Sequence, residues 1–244
     1  MRDEQPYSIL FEDSDILVVN KPAGVLTIPD RYDLTLPNLR SIFDDKYGKI
    51  FIVHRLDRDT SGIVILAKNA EAHKNLSMQF EDLTVKKIYH VVVDGVIHQD
   101  DMTIDIPLMP DPRKPGRTIP SARGKESLSM LHVMERYRHS TLASIDLVTG
   151  RHHQIRVHLS AVGYPLLVDE FYGNSREFYL SNIKKRFNMK KNDTEKPLIS
   201  RITMHAFSLT IQHPTTNEEM HFEADYPKDF AAMLQVLRKY GKSR

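Results

Sequence analysis

The chain is organised around His54-Arg55-Leu56-Asp57-Arg58-Asp59-Thr60-Ser61-Gly62, followed at once by Ile63-Val64-Ile65-Leu66-Ala67. The apolar run is short, rich in β-branched residues and closed by Lys68-Asn69, the pattern of a strand buried on both faces. The polar stretch before it therefore lies at the edge of the core, where a scaffold holds it rigidly, and reactive groups are commonly placed on such loops. Asp57, flanked by Arg55 and Arg58, is the residue best suited to chemistry. Nearby positive charge keeps a carboxylate ionised, and an ionised carboxylate attacks carbon or holds a developing cation. The competing reading is an ion-paired turn, because Thr60-Ser61-Gly62 is also turn chemistry.

The 244 residues suffice for one large domain or two small ones and for a full core. With 41% hydrophobic residues the chain is globular. A formal net charge of +2 from 34 Lys+Arg and 32 Asp+Glu leaves room for local basic clusters, which suits a protein that binds and releases a polyanion. Cysteine is missing from the sequence, so disulfides, thiolate catalysis and Cys-ligated zinc are excluded. The first residues carry no apolar signal core and no run reaches membrane-spanning length, so the expected location is the cytoplasm, away from membranes.

Working outward, 16–19 reads as a strand broken by Lys21-Pro22-Ala23-Gly24. Lys21 is either a phosphate contact, a support for a loop or a solvated turn residue. Leu36, Leu39, Phe43 and Tyr47 recur at helical spacing before Gly48. Asn69 is a helix N-cap, and Ala72, Leu76, Phe80 and Leu83 make one apolar face. A strand follows over 88–96; its Tyr89, judged on strand propensity alone, is core packing. Residues 128–134 and 142–148 form two strands joined across 135–140, with Ala143, Ile145 and Leu147 on one buried face. The helix expected over 153–162 ends at Gly163, and its spacing puts His152 and Arg156 on one face, with Arg156 able to reach an acid on a neighbouring loop. Strands over 202–211 and 220–224 and a C-terminal helix at about 227–240, carrying Phe230, Met233 and Leu237, close the chain.

Two basic segments interrupt this order. Residues 107–125 hold five prolines together with Arg113, Lys114, Arg117, Arg123 and Lys125. Proline at that density rules out a helix or central strand. The segment reads as a long exposed basic loop, either a solvated connection or, since long loops inside an ordered domain are usually functional, a grip on a polyanion such as RNA. The second segment, an insertion at about 174–197, interleaves Lys184, Lys185, Arg186, Lys190 and Lys191 with Phe178, Tyr179 and Phe187, a pattern of a solvated face or of an RNA contact. His152, His153 and His158 do not have the spacing of a helical zinc pair, and no glutamate accompanies them, so no metal site is expected.

The stretch at 54–62 resembles the active-site motif of the pseudouridine synthases, in particular the RluA-like branch. Three further blocks match in order: Leu17-Val18-Val19-Asn20-Lys21-Pro22-Ala23-Gly24, then Lys87-Ile88-Tyr89, then Thr149-Gly150-Arg151-His152-His153-Gln154-Ile155-Arg156-Val157-His158-Leu159, with Gly163, Pro165, Asp169 and Tyr172-Gly173 following. The resemblance covers most of residues 9–225 and implies an α+β fold: a single catalytic domain over 1–244 with a central, mostly antiparallel mixed sheet, flanking helices and a basic loop over the cleft. It implies no separate RNA-binding domain ahead of the catalytic one, a monomer, no cofactor, and structured ribosomal or transfer RNA as partner. It further implies that Asp57 is the essential carboxylate, that Tyr89 lies against the target uracil and assists proton removal, that Arg156 holds Asp57 ionised, and that Arg55 fills the space left by a flipped base. The candidate RNA contacts are Arg55, Arg58, Lys21, Arg151 and His152, with Arg113, Lys114, Arg117, Arg123 and Lys125 on the basic loop. The chain departs from the family pattern at Val168, where glycine is usual, and at His152, where threonine or serine is usual. The alternative functions are an RNA-binding module without catalysis and a glycosidase-like hydrolase using Asp57 and Asp59.

Overall fold

The computed structural model describes residues 7–184, 187 and 194–242. In chain order its elements are β1 (Ser8–Glu12), β2 (Ile16–Lys21), α1 (Leu39–Tyr47), β3 (Phe51–Ile52), β4 (Ser61–Ala67), α2 (Ala70–Glu81), β5 (Lys86–Asp94), β6 (Asp101–Asp105), β7 (Leu108–Pro110), β8 (Thr118–Pro120), β9 (Leu128–Arg136), β10 (Ser140–Leu147), α3 (Gln154–Ala161), β11 (Met204–Gln212), β12 (Glu219–Glu223) and α4 (Lys228–Tyr240). The fold is α+β. The β1–β2, β2–β4, β3–β4, β6–β9, β7–β8, β9–β10 and β11–β12 pairs are antiparallel. The parallel pair β4–β11 makes the sheet mixed. The chain forms two compact units, residues 1–88 with 205–225, and residues 89–204 with 226–244.

In the first unit the strand order is β1-β2-β4-β11, with β3 also on β4 and β12 on β11. Every residue of β4 is buried, as its unbroken apolar run requires. Ile63, Ile65 and Ala67 pack with Ile16 and Val18 of β2, Ala72 and Leu76 of α2, and Leu209, Ile211 and Phe222 of β11 and β12. Asn69 caps α2 by accepting the Ala72 N–H, as its position ahead of the apolar face predicts. Leu83 lies beyond the end of α2 with a φ of 58°, and Leu36 precedes α1, whose cap is Asn38. The helical spacing of these two leucines therefore overreaches at both helices. At Gly62 a Cβ would stand 2.1 Å from the Ala206 carbonyl oxygen, and φ is +119°, so only glycine permits the close parallel approach of β4 and β11.

The second unit takes up β5 at Tyr89 and orders its strands β5-β10-β9-β6. The strand β5 runs two residues earlier than the apolar pattern suggests and stops at Asp94, ahead of Gly95 with its φ of 99°. The core gathers Val92, Leu142, Val168, Phe178 and Ile199 around Phe230, Met233, Leu234 and Leu237 of α4. Phe178 is thus a core residue, which corrects its reading as part of an RNA-facing aromatic pattern. Lys185, Arg186, Lys190 and Lys191 of the same basic insertion lie outside the described residues. The proline-rich stretch is not a plain loop. It holds the separate hairpin β7–β8, with Leu108 and Thr118 buried and the exposed basic tip at Arg113 and Lys114. Pro110 and Pro120 sit at the strand ends, where a missing N–H costs no ladder bond in so short a sheet.

Candidate active site

In the first unit the loop that carries Asp57 is fixed by groups the chain buries. The Lys21 side chain has no exposure, and its Nζ donates to three backbone carbonyls, those of Pro22 (3.0 Å), Val25 (2.8 Å) and Arg58 (3.1 Å). The Gly24 N–H donates to the same Arg58 carbonyl at 2.9 Å. Lys21 therefore ties the turn after β2 to the loop. Its reading as an RNA contact is corrected, because a phosphate in solvent has no access to an ammonium enclosed in this way. One residue further in, the Leu56 N–H donates to Thr27 Oγ1 and that hydroxyl donates to the Leu56 carbonyl, both at 3.2 Å.

His54 begins the loop and closes it against β4. Its Nε2 accepts the Ile65 N–H at 3.1 Å, where the two-residue β3 has ended and supplies no further acceptor. The ring stacks on Phe80 with centroids 4.8 Å apart and planes 20° apart. Burial, reinforced by the Lys87 charge, depresses the His54 pKa to about 3, so the imidazole is neutral and its proton is on Nδ1. At the far end Ser61 Oγ pairs with His205 Nδ1 at 2.9 Å, and His205 Nε2 faces the Ala224 carbonyl at 3.0 Å. Between these anchors Leu56 and Thr60 point inward and Asp57 is half-buried, while Arg55, Arg58 and Asp59 are exposed.

In the second unit Tyr89 is buried at the start of its portion of β5, and Arg156 is buried in the first turn of α3. Arg156 does reach an acid on a neighbouring loop. Its Nε donates to Asp169 Oδ2 at 2.7 Å and its Nη2 to Asp169 Oδ1 at 2.8 Å, a two-point pair that fixes the plane of the guanidinium. Asp169 Oδ1 also accepts the Phe171 and Tyr172 N–H groups, at 2.8 and 3.1 Å. Burial pushes the Asp169 carboxyl up, but Arg156 and these two N–H groups outweigh it and leave the pKa below the ordinary carboxylate value. The sequence reading places Asp169 in a motif without giving it this task; the signal was its position shortly after the helix that carries Arg156.

The expected shared face of His152 and Arg156 is not formed. Helix α3 begins at Gln154, and His153 before it has φ 55° and ψ 20°, which turns His152 out of the helical path. Instead His152 Nδ1 meets Thr118 Oγ1 of the hairpin at 3.0 Å, and its ring stacks on His153 at 3.8 Å. Gln154 organises the turn: its Oε1 accepts from the Arg151 N–H and the Thr149 hydroxyl, and its Nε2 donates to the Leu128 carbonyl and Ser129 Oγ. Of the remaining candidates, Arg151, Arg113, Lys114, Arg123 and Lys125 are exposed, and Arg117 is half-buried against Phe171 and Tyr172.

The family model for RNA pseudouridylate synthase matches residues 15–161, a span that contains the loop at 54–62, Tyr89 and Arg156. The chain belongs to the RNA pseudouridylate synthase family. Members of this family of pseudouridine synthases are isomerases that act on RNA. The chain is 37% identical to the RNA pseudouridine synthase YlyB of Bacillus subtilis, over 96% of this chain and 73% of the relative. It is 37% identical to the ribosomal large subunit pseudouridine synthase D of Pseudomonas aeruginosa, over 95% and 72%. It is 35% identical to the dual-specificity RNA pseudouridine synthase RluA of Vibrio vulnificus, over 93% and 86%. Among solved structures, human RNA Pseudouridylate Synthase Domain Containing 4 shares the fold with a TM-score of 0.71 at 23% identity, covering 95% of this chain and 93% of that one. Human RNA Pseudouridylate Synthase Domain Containing 1 gives 0.69 at 26%, covering 98% and 97%. Within this pseudouridine synthase the two departures have physical places. Val168 fills a position in the second unit's core, and His152 serves the hairpin through Thr118.

Proposed function

We propose that the protein converts specific uridines of structured ribosomal or transfer RNA to pseudouridine, with Asp57 as its essential carboxylate. The N1–C1′ bond of the uridine breaks, the base turns, and C5 bonds to C1′. The proton lost from C5 is balanced by the one N1 gains, so nothing is oxidised and the reaction calls for no cofactor. The Asp57 carboxylate meets the positive charge that develops at C1′. Arg156, its plane already fixed by Asp169, is the counter-charge assigned to the Asp57 carboxylate. Tyr89 packs on the uracil and assists removal of the C5 proton. The uridine must leave its stack to be reached, at a cost of a few kcal/mol, and Arg55 fills the vacated space. On this reading the two compact units work as one catalytic domain, in a monomer in the cytoplasm, with Arg58, Arg151, His152 and the basic hairpin on phosphates.

The observation that carries the reading is the family match over 15–161, which includes the residues given these roles. The names of the relatives support ribosomal and dual-specificity targets. The test is tritium release from RNA labelled at C5 of uridine. Wild type releases tritium to water and leaves pseudouridine in the RNA, while Asp57→Asn binds the RNA, keeps its melting temperature and releases none. Product from Asp57→Asn sinks the assignment of the carboxylate. Free uracil in place of pseudouridine would make the protein a hydrolase, and binding by wild type without release would leave only an RNA-binding module.

A further inference from the structure

Phe171 is 45% exposed, the one exposed phenylalanine among the described residues. It is one of the two residues between Asp169 and Tyr172-Gly173. An isolated exposed apolar residue is ordinary and calls for no explanation. Phe171 is not isolated, and its backbone is fixed. Its N–H is held by Asp169 Oδ1 at 2.8 Å, and the Gly173 N–H closes the turn onto the Asp169 carbonyl at 3.0 Å. The ring stands edge-on to Tyr172, with centroids 6.4 Å apart and planes at 76°, and lies 6.3 Å from His153.

Two guanidinium groups flank the ring. Arg156 Cζ is 5.5 Å from its centroid and Arg117 Cζ 5.2 Å. The charge of Arg156 is offset by Asp169; among the described residues no carboxylate pairs with Arg117. Arg117 is carried there by the hairpin, which is anchored beside it where the Thr118 N–H donates to the Tyr172 hydroxyl at 2.8 Å and Thr118 Oγ1 meets His152. The patch is therefore a rigid exposed π-face with an uncompensated cation at its rim, continued by exposed Arg113 and Lys114 at the hairpin tip. An apolar protein partner would gain nothing from the cation. An unpaired nucleobase with its phosphate uses both, by stacking on the ring and pairing with the guanidinium.

We propose that Phe171, with Arg117 at its edge, is a stacking platform for one unpaired nucleobase of the RNA substrate, beside the uridine that is converted. The inference rests on the RNA-isomerase reading above and adds to it a residue that recognises a flanking nucleotide. Because the ring is held before RNA arrives, little ordering cost falls on binding. Stacking of one base on an aromatic side chain corresponds to a change in affinity of about 5- to 150-fold.

The test is fluorescence anisotropy with two probes, an RNA hairpin carrying a seven-uridine loop and the same hairpin with the loop bases removed to leave abasic riboses. Wild type should bind the uridine loop more tightly by about 5- to 150-fold. Phe171→Ala should lose the part of that preference owed to the flanking base, leaving only what the converted uracil contributes, and should keep the affinity for the abasic loop and, as the site is exposed, the melting temperature. Phe171→Trp should retain the preference and Phe171→Leu should not, which separates stacking from mere apolar cover. Arg117→Ala should weaken both probes. The proposal is overturned if Phe171→Ala discriminates as wild type does, if Phe171→Leu keeps the preference, or if wild type binds the two probes equally or binds neither. Tritium release by wild type from cellular RNA, run in parallel, judges the isomerase reading separately. Its failure there would leave the anisotropy result standing on its own.

Discussion

His54 should make the fold of the loop that carries Asp57 sensitive to acid in a way that can be isolated from every other histidine. Its Nε2 is the acceptor for the Ile65 N–H, so a proton on that nitrogen replaces a hydrogen bond with two donors facing each other. The folded pKa of about 3 lies below the ordinary 6.5, so folding favours the neutral ring. The sign follows directly. The stability contributed is whole above pH 6.5, where folded and unfolded rings are both neutral, and is lost as pH falls from 6.5 toward 3, where the unfolded chain binds the extra proton. At pH 5 the unfolded ring has passed its pKa by about 1.5 units, worth about 2 kcal/mol at about 1.4 kcal/mol per unit. The assay is urea denaturation of wild type and His54→Gln at pH 7.5 and pH 5. Glutamine does not titrate, and the remaining histidines cancel in the difference. Wild type should be the more stable at pH 7.5 by about 1–2 kcal/mol, from the stack on Phe80 and the aligned acceptor. That advantage should vanish at pH 5. An unchanged advantage at both pH values would refute the assignment of His54 as a buried neutral acceptor.

Lys21→Met should lower stability by about 3 kcal/mol, because the Pro22, Val25 and Arg58 carbonyls lose a shared buried donor. Its affinity for RNA, measured on the folded fraction, should be unchanged; a loss of RNA affinity with unchanged stability would restore the phosphate reading. Asp169→Asn should cost about 3–5 kcal/mol, since it removes the buried carboxylate that holds the Arg156 guanidinium at two points, and a thermal melt indistinguishable from wild type would show that the pair is not needed. Replacing Arg113 and Lys114 together by alanine should reduce the slope of log affinity against log salt by about 1.5 to 2, and an unaltered slope would remove the hairpin tip from the RNA interface.

Where the chain follows simple periodicity, the fold was legible before any coordinates. The unbroken run over 63–67 is a strand buried on both faces, Asn69 caps its helix, and the alternation of Ala143, Ile145 and Leu147 is the buried face of β10. The misses share a cause, which is that tertiary contacts overrode a local preference. Lysine is rarely fully buried, so nothing near Lys21 announces its cage of carbonyls, one of them at Arg58, far along the chain. Left-handed backbone is signalled by glycine or asparagine, and His153 carries no such signal, so the helix seemed to extend back to its neighbour. Prolines argued against strands over 107–125, yet a three-residue hairpin can accommodate them at its ends. For the site, the motif indicated which residues to weigh. It was silent on Asp169 as the partner of Arg156 and on Thr27, His54 and His205 as anchors.

Those anchors explain why a loop of mostly polar residues is the fixed point of the first unit. On the proposed function, a carboxylate that acts on a base taken out of its stack gains from being held in advance, since any loop entropy lost on binding would subtract from affinity. The chain meets that need with polar groups at both ends of the loop: Lys21 holds the Arg58 carbonyl and Thr27 both backbone groups of Leu56, while the His54 ring accepts the Ile65 N–H of β4 and His205 pairs with the Ser61 hydroxyl. The exception is Thr60, whose Oγ1 is the one buried side-chain oxygen among the described residues without a hydrogen-bond partner. An unmet hydroxyl of this kind costs about 1–3 kcal/mol, and it lies three residues after Asp57, in the turn closed by the Thr60 N–H on the Asp57 carbonyl at 3.1 Å. Thr60→Val removes the unmet group at nearly constant shape and should therefore raise the melting temperature. A lowered melting temperature would mean that the hydroxyl is satisfied in solution, by water that the loop holds beside Asp57.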